Sequence, residues 1–447
     1  MISMTESLLL GSTRHYAYLS QSDMGNSPTW LLQQLIPPLL LTYFYFAWKI
    51  STFEMGPRLI EEAHIHSWLA LPGLYLLFPT LSILPITVLY LRLYLLPSSQ
   101  SVPPLDPPSS VQNRQIIFQC LSPAEAKAIR LADNEEHDDD DPMVERCYRG
   151  RCGGRWKPAR ARHCTLCKRC RAGWDHHCVF FANCLSAPYM RTFLALLLYT
   201  PPTILIISLP LYKPLLRRAK EAYTYSRADE GIRRRWWEWG YSWVIAGGPI
   251  GRYAGGIILG WRELDRMDEG RGGLMRLNVG LMVGFGIVLA LITAGLAFTT
   301  LSLILKGNLT IDRGRSSAHA QALNAIHKLK IQKKHIPSQL EKNLSRFSDK
   351  RWFFIPLPEE LQTSEKKGIV IPTLDRERPY DHGWKKNIEI VLGSTVSWIL
   401  PWNAIRRGMG DEVFLWPISE DVETRLREEA ERRARGSIAE CTSVHHS

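Results

Sequence analysis

Long apolar stretches alternate with charged segments along this chain of 447 residues. A helix that crosses a bilayer needs about 20 mostly apolar residues, and four stretches meet that requirement. Any one of them could instead be a buried helix in a soluble core, but four together predict a mostly α integral membrane protein with four transmembrane helices. The predicted spans are residues 30–48, 67–96, 193–212 and 279–305.

A fifth apolar stretch, residues 243–261, carries Arg252 at its centre together with a proline and several glycines. A central arginine costs about 2.5–3.5 kcal/mol inside a bilayer even on a lenient insertion scale. This stretch is therefore predicted to be a re-entrant or interfacial segment within the luminal connection 213–278, and not a further span.

The segments between the spans are polar. Residues 97–142 begin Pro/Ser-rich and end in an acidic run, a composition typical of a disordered linker. The charged stretch 419–437 is expected to be an exposed helix with a solvated face and no partner. The predicted organisation is an N-terminal tail (1–29), helices 1 and 2 (30–96), the linker (97–142), a cysteine-rich domain (143–192), helices 3 and 4 with their connection (193–305) and a C-terminal region (306–447).

The chain is basic, with a formal net charge of +12. This charge favours an anionic partner: nucleic acid, a lipid surface or a phosphate-bearing substrate. Four spans close to the basic cysteine-rich segment argue against nucleic acid. The charge does not orient the chain, because the connections 97–192 and 213–278 hold fourteen and thirteen Lys and Arg residues.

Seven of the nine cysteines lie between residues 147 and 184. A dense, odd-numbered set in a long chain is typical of metal ligation in a reducing compartment and not of a disulfide scaffold. The cysteine cluster is therefore predicted to face the cytosol, and four spans return the C-terminal region to the same side. The candidate ligands are Cys147, Cys152, His163, Cys164, Cys167, Cys170, His176, His177, Cys178 and Cys184.

Structural zinc sites are tetrahedral and use Cys and His, so these ten candidates fill two sites and leave two residues over. If each site takes three Cys and one His, one Cys and one His remain. A thiol beside an imidazole is a nucleophile with its general base, and Asp175 precedes the histidine pair, where it can orient an imidazolium. The alternative is that all seven cysteines are structural, in a third partial site or with one spare thiol.

The sequence resembles the cysteine-rich domain of the DHHC protein S-acyltransferases, membrane enzymes that palmitoylate cysteines. The resemblance rests on "KPARARHCTLCKRC" (157–170), "DHHC" (175–178), Asn183-Cys184 and Phe193. After the fourth span, "NLTID" (308–312) is similar to the family's Thr-Thr-x-Glu motif, with Leu309 and Asp312 as departures. "RPYDHGWKKNIEIVLG" (378–393) is similar to the family's C-terminal element.

The resemblance implies a role for each matching residue. Cys178 would be the acylated nucleophile, His176 its base and Asp175 the residue that orients His176. Thr310 would lie near Asp175, and Asn387 would tie the C-terminal element to the fourth helix. Two structural Zn²⁺ ions would be held by Cys147, Cys152, His163 and Cys170, and by Cys164, Cys167, His177 and Cys184.

Palmitoyl-CoA would be the acyl donor. Its phosphates require basic partners, and the alternative role for the same residues is attraction to anionic lipid headgroups. The expected acceptors are membrane proteins with cytosolic juxtamembrane cysteines, in the endoplasmic reticulum or, alternatively, the Golgi. The candidate phosphate-binding residues are Lys157, Arg160 and Arg162, with Lys168, Arg169 and Arg171.

The sequence departs from the family pattern at several positions. Four residues separate Cys147 from Cys152 where the family has two, so the first zinc loop is expected to bulge. Val179-Phe180 replace the usual Pro-Trp, and an aliphatic residue there is similar to the branch that acylates SNARE proteins. Ser186 and Tyr189 stand where Gly and Asn are usual. The alternatives are a non-catalytic zinc-stabilised membrane adaptor and a degenerate member that self-acylates without transfer.

Overall fold

The computed structural model describes residues 28–57, 70–95, 101–133, 142–268, 273–338, 340–341, 344, 350–362, 367–375, 377–394, 396–406 and 408–444. The described chain is mostly helical. Its longer helices are α1 (Pro28–Lys49), α2 (Ala70–Leu95), α3 (Pro123–Asp133), α4 (Met190–Ala228), α5 (Pro249–Met267), α6 (Leu277–Leu305), α7 (Thr310–Ile331), α8 (Trp384–Leu392) and α9 (Glu420–Val444). The predicted N-terminal tail lies outside the described residues except for its last two.

Shorter helical turns and nine strands complete the described elements. The strands are β1 (Phe118–Cys120), β2 (Arg146–Cys147), β3 (Arg155–Trp156), β4 (Arg162–Cys164), β5 (Arg169–Arg171), β6 (Trp174–Cys178), β7 (Asn183–Ser186), β8 (Trp352–Pro356) and β9 (Gly368–Pro372). The helical turns are Ile50–Met55, Ser109–Gln112, Ala187–Tyr189, Glu230–Ile232, Arg233–Trp237, Ser242–Ile245, Gly273–Met275, Glu359–Leu361, Val396–Ile399, Pro401–Ala404 and Asp411–Val413.

Three helical segments are long and apolar enough to cross a membrane, among the residues that the structure describes: Leu77–Leu95, Ala187–Ala228 and Leu277–Leu305. They correspond to the second, third and fourth predicted spans. The first predicted span falls on α1, whose first five side chains lie outside the described set. An integral membrane protein is therefore supported, while the number of four spans stays a prediction.

The apolar helices pack around α4. Aromatic side chains join them, since Phe44 of α1 lies edge-on to Tyr90 of α2 with ring centroids 5.5 Å apart, and Tyr43 lies 5.0 Å from Phe285 of α6. Trp48 of α1 also donates its indole N–H to Thr80 of α2 at 2.9 Å. These contacts join α1 to α2 and to α6.

Helix α4 continues beyond residue 212, where the third predicted span ends. It runs for 39 residues to Ala228, and α5 packs antiparallel to its final part. The predicted re-entrant or interfacial stretch falls on a short turn and on α5. Its central Arg252 donates to the Trp237 carbonyl and lies 5.8 Å from that indole ring, so the charge has protein partners.

The expectation of disorder across residues 97–142 is wrong for residues 101–133. Strand β1 pairs antiparallel with β8, with Phe118 opposite Phe354, and β8 pairs with β9. The apolar run 116–118 leads into this strand, which joins a sheet that the C-terminal region supplies. The acidic run lies mainly outside the described residues.

Helix α9 is not solvated on all faces, so the expectation for residues 419–437 is wrong in that respect. Val422, Leu426, Ala430 and Ala434 are buried. Their spacing of four residues puts them on one helix face, which packs against β8 and β9. The C-terminal region is therefore one folded unit that includes β1 from before the cysteine cluster.

Candidate active site and metal centres

The cysteine-rich segment folds as three small antiparallel ribbons, β2–β3, β4–β5 and β6–β7. Ribbons of two to five residues bury too little apolar surface to be stable alone. Cys147, Cys152 and Cys170 themselves form one of the buried clusters. A segment of this kind needs cross-links such as bound metal.

Strand geometry divides the "DHHC" residues between two faces. Successive side chains on a strand point to opposite faces, so His176 and Cys178 of β6 share one face and His177 takes the other. On that other face His177 stands opposite Cys184 of β7. A register shift between Trp174 and His176 marks a bulge at Asp175, which re-aims the carboxylate.

The ligand atoms of Cys147, Cys152, His163 and Cys170 lie within 4.8 Å of one another. His163 Nδ1 is 3.6 Å from Cys147 Sγ and 3.3 Å from Cys152 Sγ. The Cys170 backbone N–H donates to Cys152 Sγ at 3.2 Å, a bond that stabilises a thiolate. Cys147 and Cys152 both belong to this group despite the longer loop between them.

The second group consists of Cys164, Cys167, His177 and Cys184. The three sulfurs lie 3.6, 3.4 and 3.6 Å from His177 Nδ1. Hydrogen bonds from the Cys167 and Cys184 side chains lower the pKa of Cys164, so the group favours a thiolate. Its members come from β4, the following turn, β6 and β7, and this group therefore connects two ribbons.

Both groups fit a structural zinc ion. A tetrahedral site with Zn–S near 2.3 Å and Zn–N near 2.0–2.1 Å separates a nitrogen and a sulfur ligand by about 3.5 Å. The observed separations of 3.3–3.6 Å match that value. Three thiols and one imidazole also form a common zinc donor set. Two zinc ions could therefore be held, as the sequence predicts.

Cys178 belongs to neither metal group, among the residues that the structure describes. It is buried at 4% exposure and interacts with the His176 side chain. His176 Nδ1 is 2.8 Å from Asp175 Oδ2. Thiol, imidazole and carboxylate thus follow one another in the order that a nucleophile, its base and an orienting group require.

These neighbours change the pKa of His176. Burial alone lowers the pKa of His176, because an imidazolium loses its hydration. The hydrogen bonds to Asp175 and Cys178 outweigh burial and raise the pKa of His176 to about 10. A positively charged imidazole stabilises negative charge on adjacent atoms, so the site suits an anionic sulfur or an anionic intermediate.

Two hydrogen bonds attach the β6–β7 turn to α2. The Tyr90 hydroxyl donates to the Phe180 carbonyl at 2.6 Å, and the Asn183 side chain donates to the Leu93 carbonyl at 3.2 Å. On the other side, the Phe193 ring of α4 lies 5.9 Å from the His176 ring. The Cys178 thiol is therefore held where two membrane-type helices end.

Asp175 has a second partner from a distant part of the chain. The Thr310 backbone N–H donates to Asp175 Oδ1 at 2.8 Å, so Thr310 lies beside Asp175 as the resemblance implies. Asn387 likewise donates to the Leu305 carbonyl at 3.1 Å, at the end of α6. The His382 backbone N–H donates to Asn387 Oδ1, and this asparagine therefore joins the C-terminal element to the helix.

Asp312 is the centre of a largely buried ionic network at the start of α7. Its carboxylate contacts Arg160 and Arg351, each at 2.9 Å, and caps the helix by accepting from the Leu309 N–H at 3.0 Å. The Arg160 guanidinium also lies over the Tyr380 ring, 4.3 Å from its centroid. This network fixes the helix end from which Thr310 reaches Asp175.

The network contradicts one predicted role. Arg160 is 5% exposed and bonded to Asp312, so it cannot bind a phosphate in solution, and its predicted part in phosphate binding is wrong. Lys157 forms an ion pair with Glu145, while Arg162 is exposed and lies 5.1 Å from the Trp174 ring centroid. Arg171 is buried as well. Arg162 is the candidate best placed for an anionic ligand.

Sequence reasoning did not single out Arg351, Tyr90, Tyr380 or Asn183. Each acts through a partner far away in the sequence, and neither periodicity nor spacing marks such residues. Asn183 and Tyr380 did carry a signal, because each belongs to a quoted motif. Taken together, the described residues define a cysteine-rich domain able to hold two zinc ions, with one thiol–imidazole–carboxylate set at the end of membrane helices.

Comparison with known proteins supports the same class. Residues 145–237 match the model of the DHHC palmitoyltransferase family. Similar proteins include probable protein S-acyltransferase 13 of Arabidopsis thaliana, 43% identical over 56 residues, 12% of this chain and 18% of that protein. Palmitoyltransferase ZDHHC4 of Mus musculus is 55% identical over 42 residues, 9% of this chain and 12% of that protein.

Palmitoyltransferase PFA3 of Candida glabrata is 35% identical over 96 residues, 20% of this chain and 27% of that protein. The chain therefore contains a domain of the DHHC palmitoyltransferase family, and the resemblance read from the sequence is confirmed. The matches span between 12% and 27% of the length of these three relatives. The likeness is concentrated in the cysteine-rich domain.

Proposed function

We propose that this chain is a protein S-acyltransferase that moves a palmitoyl group from palmitoyl-CoA to cysteine thiols of membrane proteins. The observation that carries the proposal is the position of Cys178. Two four-residue groups take eight Cys and His ligands, and Cys178 remains outside both, next to His176 and Asp175. A domain whose only task is to bind zinc does not require this third arrangement.

The reaction has two halves. His176 accepts the proton of Cys178, and the Cys178 sulfur attacks the thioester carbonyl of palmitoyl-CoA. A new carbon–sulfur bond forms to Cys178, the bond to the CoA sulfur breaks, and CoA leaves as a thiol after taking that proton. A substrate cysteine then attacks the acyl-Cys178 thioester in the same way and returns the enzyme thiol.

Zinc would supply structure and not chemistry. Closed sites with four protein ligands leave no position for substrate, so the ions would hold the ribbons around Cys178. Asp175 keeps one ring nitrogen of His176 engaged, and the other faces the thiol. The residues of this chain thus perform the proton transfers, while the metal groups keep β6 and β7 in register.

The acyl chain would lie among the helices. A cavity of about 60 Å³ is lined by apolar residues of α1, α2, α4 and α6, including Phe44, Ile86 and Ile204. Its lining on α4 begins at Thr200, seven residues beyond Phe193, which is about 10 Å along the helix. The cavity is too small for a whole palmitoyl chain, so side chains must move when the chain enters.

The proposal includes the orientation of the chain in the membrane and the class of acceptor protein. The cysteine-rich domain would face the cytosol, where thiolate ligands stay reduced, and four spans would return the C-terminal region to the same side. SNARE proteins of the endoplasmic reticulum or Golgi are the proposed acceptors, because Val179 follows the DHHC sequence. Val179 is 39% exposed, so an acceptor can reach it.

The test uses the purified full-length protein in lipid nanodiscs with labelled palmitoyl-CoA. We expect a label on the chain that hydroxylamine releases, and its transfer to an added peptide with a juxtamembrane cysteine. A non-catalytic adaptor would acquire no such label. A chain that becomes labelled but never transfers would match the self-acylating alternative and contradict the proposed function.

The Asp312 network gives a second expected result. Replacement Asp312→Asn leaves the buried Arg160 and the half-buried Arg351 without a carboxylate, and breaking a buried ion pair costs about 3–5 kcal/mol. We expect a lower thermal unfolding midpoint and slower labelling of Cys178, because the Thr310 contact to Asp175 depends on this helix end. Thermal unfolding in detergent and the labelling rate measure the two effects.

Two variants serve as controls. Asp312→Glu keeps the charge and should retain most of both properties. Asp375→Asn removes a carboxylate that pairs with Lys350, but the Asp375 side chain is 81% exposed. Exposed ion pairs contribute little to stability, so we expect little change from this variant. Unchanged stability and labelling in Asp312→Asn would show that the network does not hold Asp175.

A further inference from the structure

Large apolar side chains are exposed at the far end of the helical hairpin formed by the last part of α4 and by α5. We call residues 239–250, which comprise the second half of the connection and the first two residues of α5, the hairpin tip. Single exposed apolar residues are ordinary, but a contiguous group marks an interaction site. The exposed members are Trp239 at 43%, Tyr241 at 69%, Trp243 at 53%, Val244 at 55%, Ile245 at 68% and Ile250 at 88%.

The hairpin tip is held by a well-packed stem. The Trp236 and Trp237 rings lie directly against Gly255 and Gly256 of α5, where any larger residue would collide with them. Trp236 also donates its indole N–H to the Arg252 carbonyl at 2.8 Å. The exposure of the tip is therefore a property of a folded hairpin.

The base of the hairpin is attached to the membrane helices. Trp261 donates to the Met275 carbonyl at 2.8 Å, and Arg276 pairs with Glu54 near the end of α1 at 2.7 Å. Ten residues of α5 separate Trp261 from the tip, so the two are about 16 Å apart along the helix. This end of α4 is opposite the end that contacts His176.

The hairpin is basic as well as apolar. Residues 213–268 and 273–278 contain twelve Lys or Arg and seven Asp or Glu, a net charge of +5. Arg233, Arg234 and Arg235 are exposed immediately before the tip. Arginine together with exposed tryptophan and tyrosine is the composition of segments that lie in the interface of an anionic bilayer.

We propose that the hairpin tip docks on the anionic headgroup surface of the bilayer that the chain itself spans, on the side opposite Cys178. The tip is joined to the spanning part of the chain through α4 and α5, and it lies about 16 Å along α5 from Trp261 at the base of the hairpin. Pro210 and Pro214 interrupt the hydrogen bonding of α4 just before the stem, where the helix can bend. A second copy is a poorer occupant, because the net positive charge of its hairpin would repel the same charge on this one.

The test places a probe at the tip of the full-length protein. Ile245 is replaced by an environment-sensitive fluorescent amino acid, and the protein is reconstituted in nanodiscs of phosphatidylcholine with or without about 30% phosphatidylserine. Nitroxide-labelled lipids report contact through quenching. We expect quenching at Ile245 about twofold stronger with phosphatidylserine, and a loss of that gain in the variant Arg233→Gln, Arg234→Gln, Arg235→Gln.

The matched control carries the same probe in place of Ile331, an equally exposed isoleucine at 69% at the end of α7. Equal quenching at both positions would overturn the proposal. Quenching at Ile245 that does not change when phosphatidylserine is added would overturn it as well. A blue shift at Ile245 without quenching would indicate a protein partner. A shift that needs two copies per disc would indicate self-association. Acyltransferase activity does not enter this test, so its outcome is independent of the proposed function.

Discussion

The variant Cys178→Ser is expected to lose both the hydroxylamine-labile label and acyl transfer while keeping two zinc ions per chain. A serine hydroxyl is a far weaker nucleophile than a thiol at neutral pH, so acylation should fall to background. The metal content should not change, because the eight ligands of the two groups are all still present. Labelling with palmitoyl-CoA and elemental analysis of the same sample measure both quantities.

The chain offers a matched control for this result. Cys120 is also buried and free, in β1 and away from both metal groups. Cys120→Ser should therefore retain label, transfer and two zinc ions. If Cys178→Ser lost one zinc ion, Cys178 would be a metal ligand and the proposed acyl-enzyme would be wrong.

The division of ligands could be anticipated from the sequence because it depends on local geometry. Ten candidates lie within 38 residues, and the alternation of one strand separates His177 from its neighbours His176 and Cys178. Counting donors gave a remainder of one Cys and one His, and the resemblance identified which ones. The position of Cys178 outside both metal groups agrees with that remainder.

Contacts between distant segments could not be anticipated in this way. Arg160 and Asp312 are separated by about 150 residues in the sequence. From the sequence alone, an arginine in a basic loop is as consistent with a phosphate ligand as with the partner of a distant carboxylate. Strand β1 pairs with β8 more than 200 residues later. Pairings of this kind depend on the folded chain, since the sequence of one short strand does not specify which strand it pairs with.

One misreading had a local signal that was too weak. Val422, Leu426, Ala430 and Ala434 repeat every four residues, yet two of them are alanines within a highly charged stretch. The apolar pattern of the third predicted span ends at residue 212, whereas α4 itself continues to Ala228. A helix that leaves the bilayer keeps its hydrogen bonds in water, so the end of an apolar pattern does not mark the end of a helix.

The variants His177→Ala and His176→Ala separate the metal role from the chemical role at adjacent positions. His177→Ala removes one of four ligands from the group that connects β4 with β6 and β7. Structural zinc contributes about 10–16 kcal/mol of apparent binding energy to small domains, so we expect one zinc ion to be lost, with early unfolding and no label. Cys164→Ser should behave in the same way.

His176→Ala is expected to keep both zinc ions and a near-normal unfolding midpoint, yet to label far more slowly because Cys178 loses its base. General base catalysis contributes about 10²–10⁴-fold, and the label should appear that much more slowly. Zinc content, unfolding midpoint and labelling rate of the two variants provide the measurement. If zinc were instead lost from His176→Ala and retained by His177→Ala, His176 would be the zinc ligand and His177 the base. Because Cys178 shares a strand face with His176, Cys178 would then lie on the face that binds the metal.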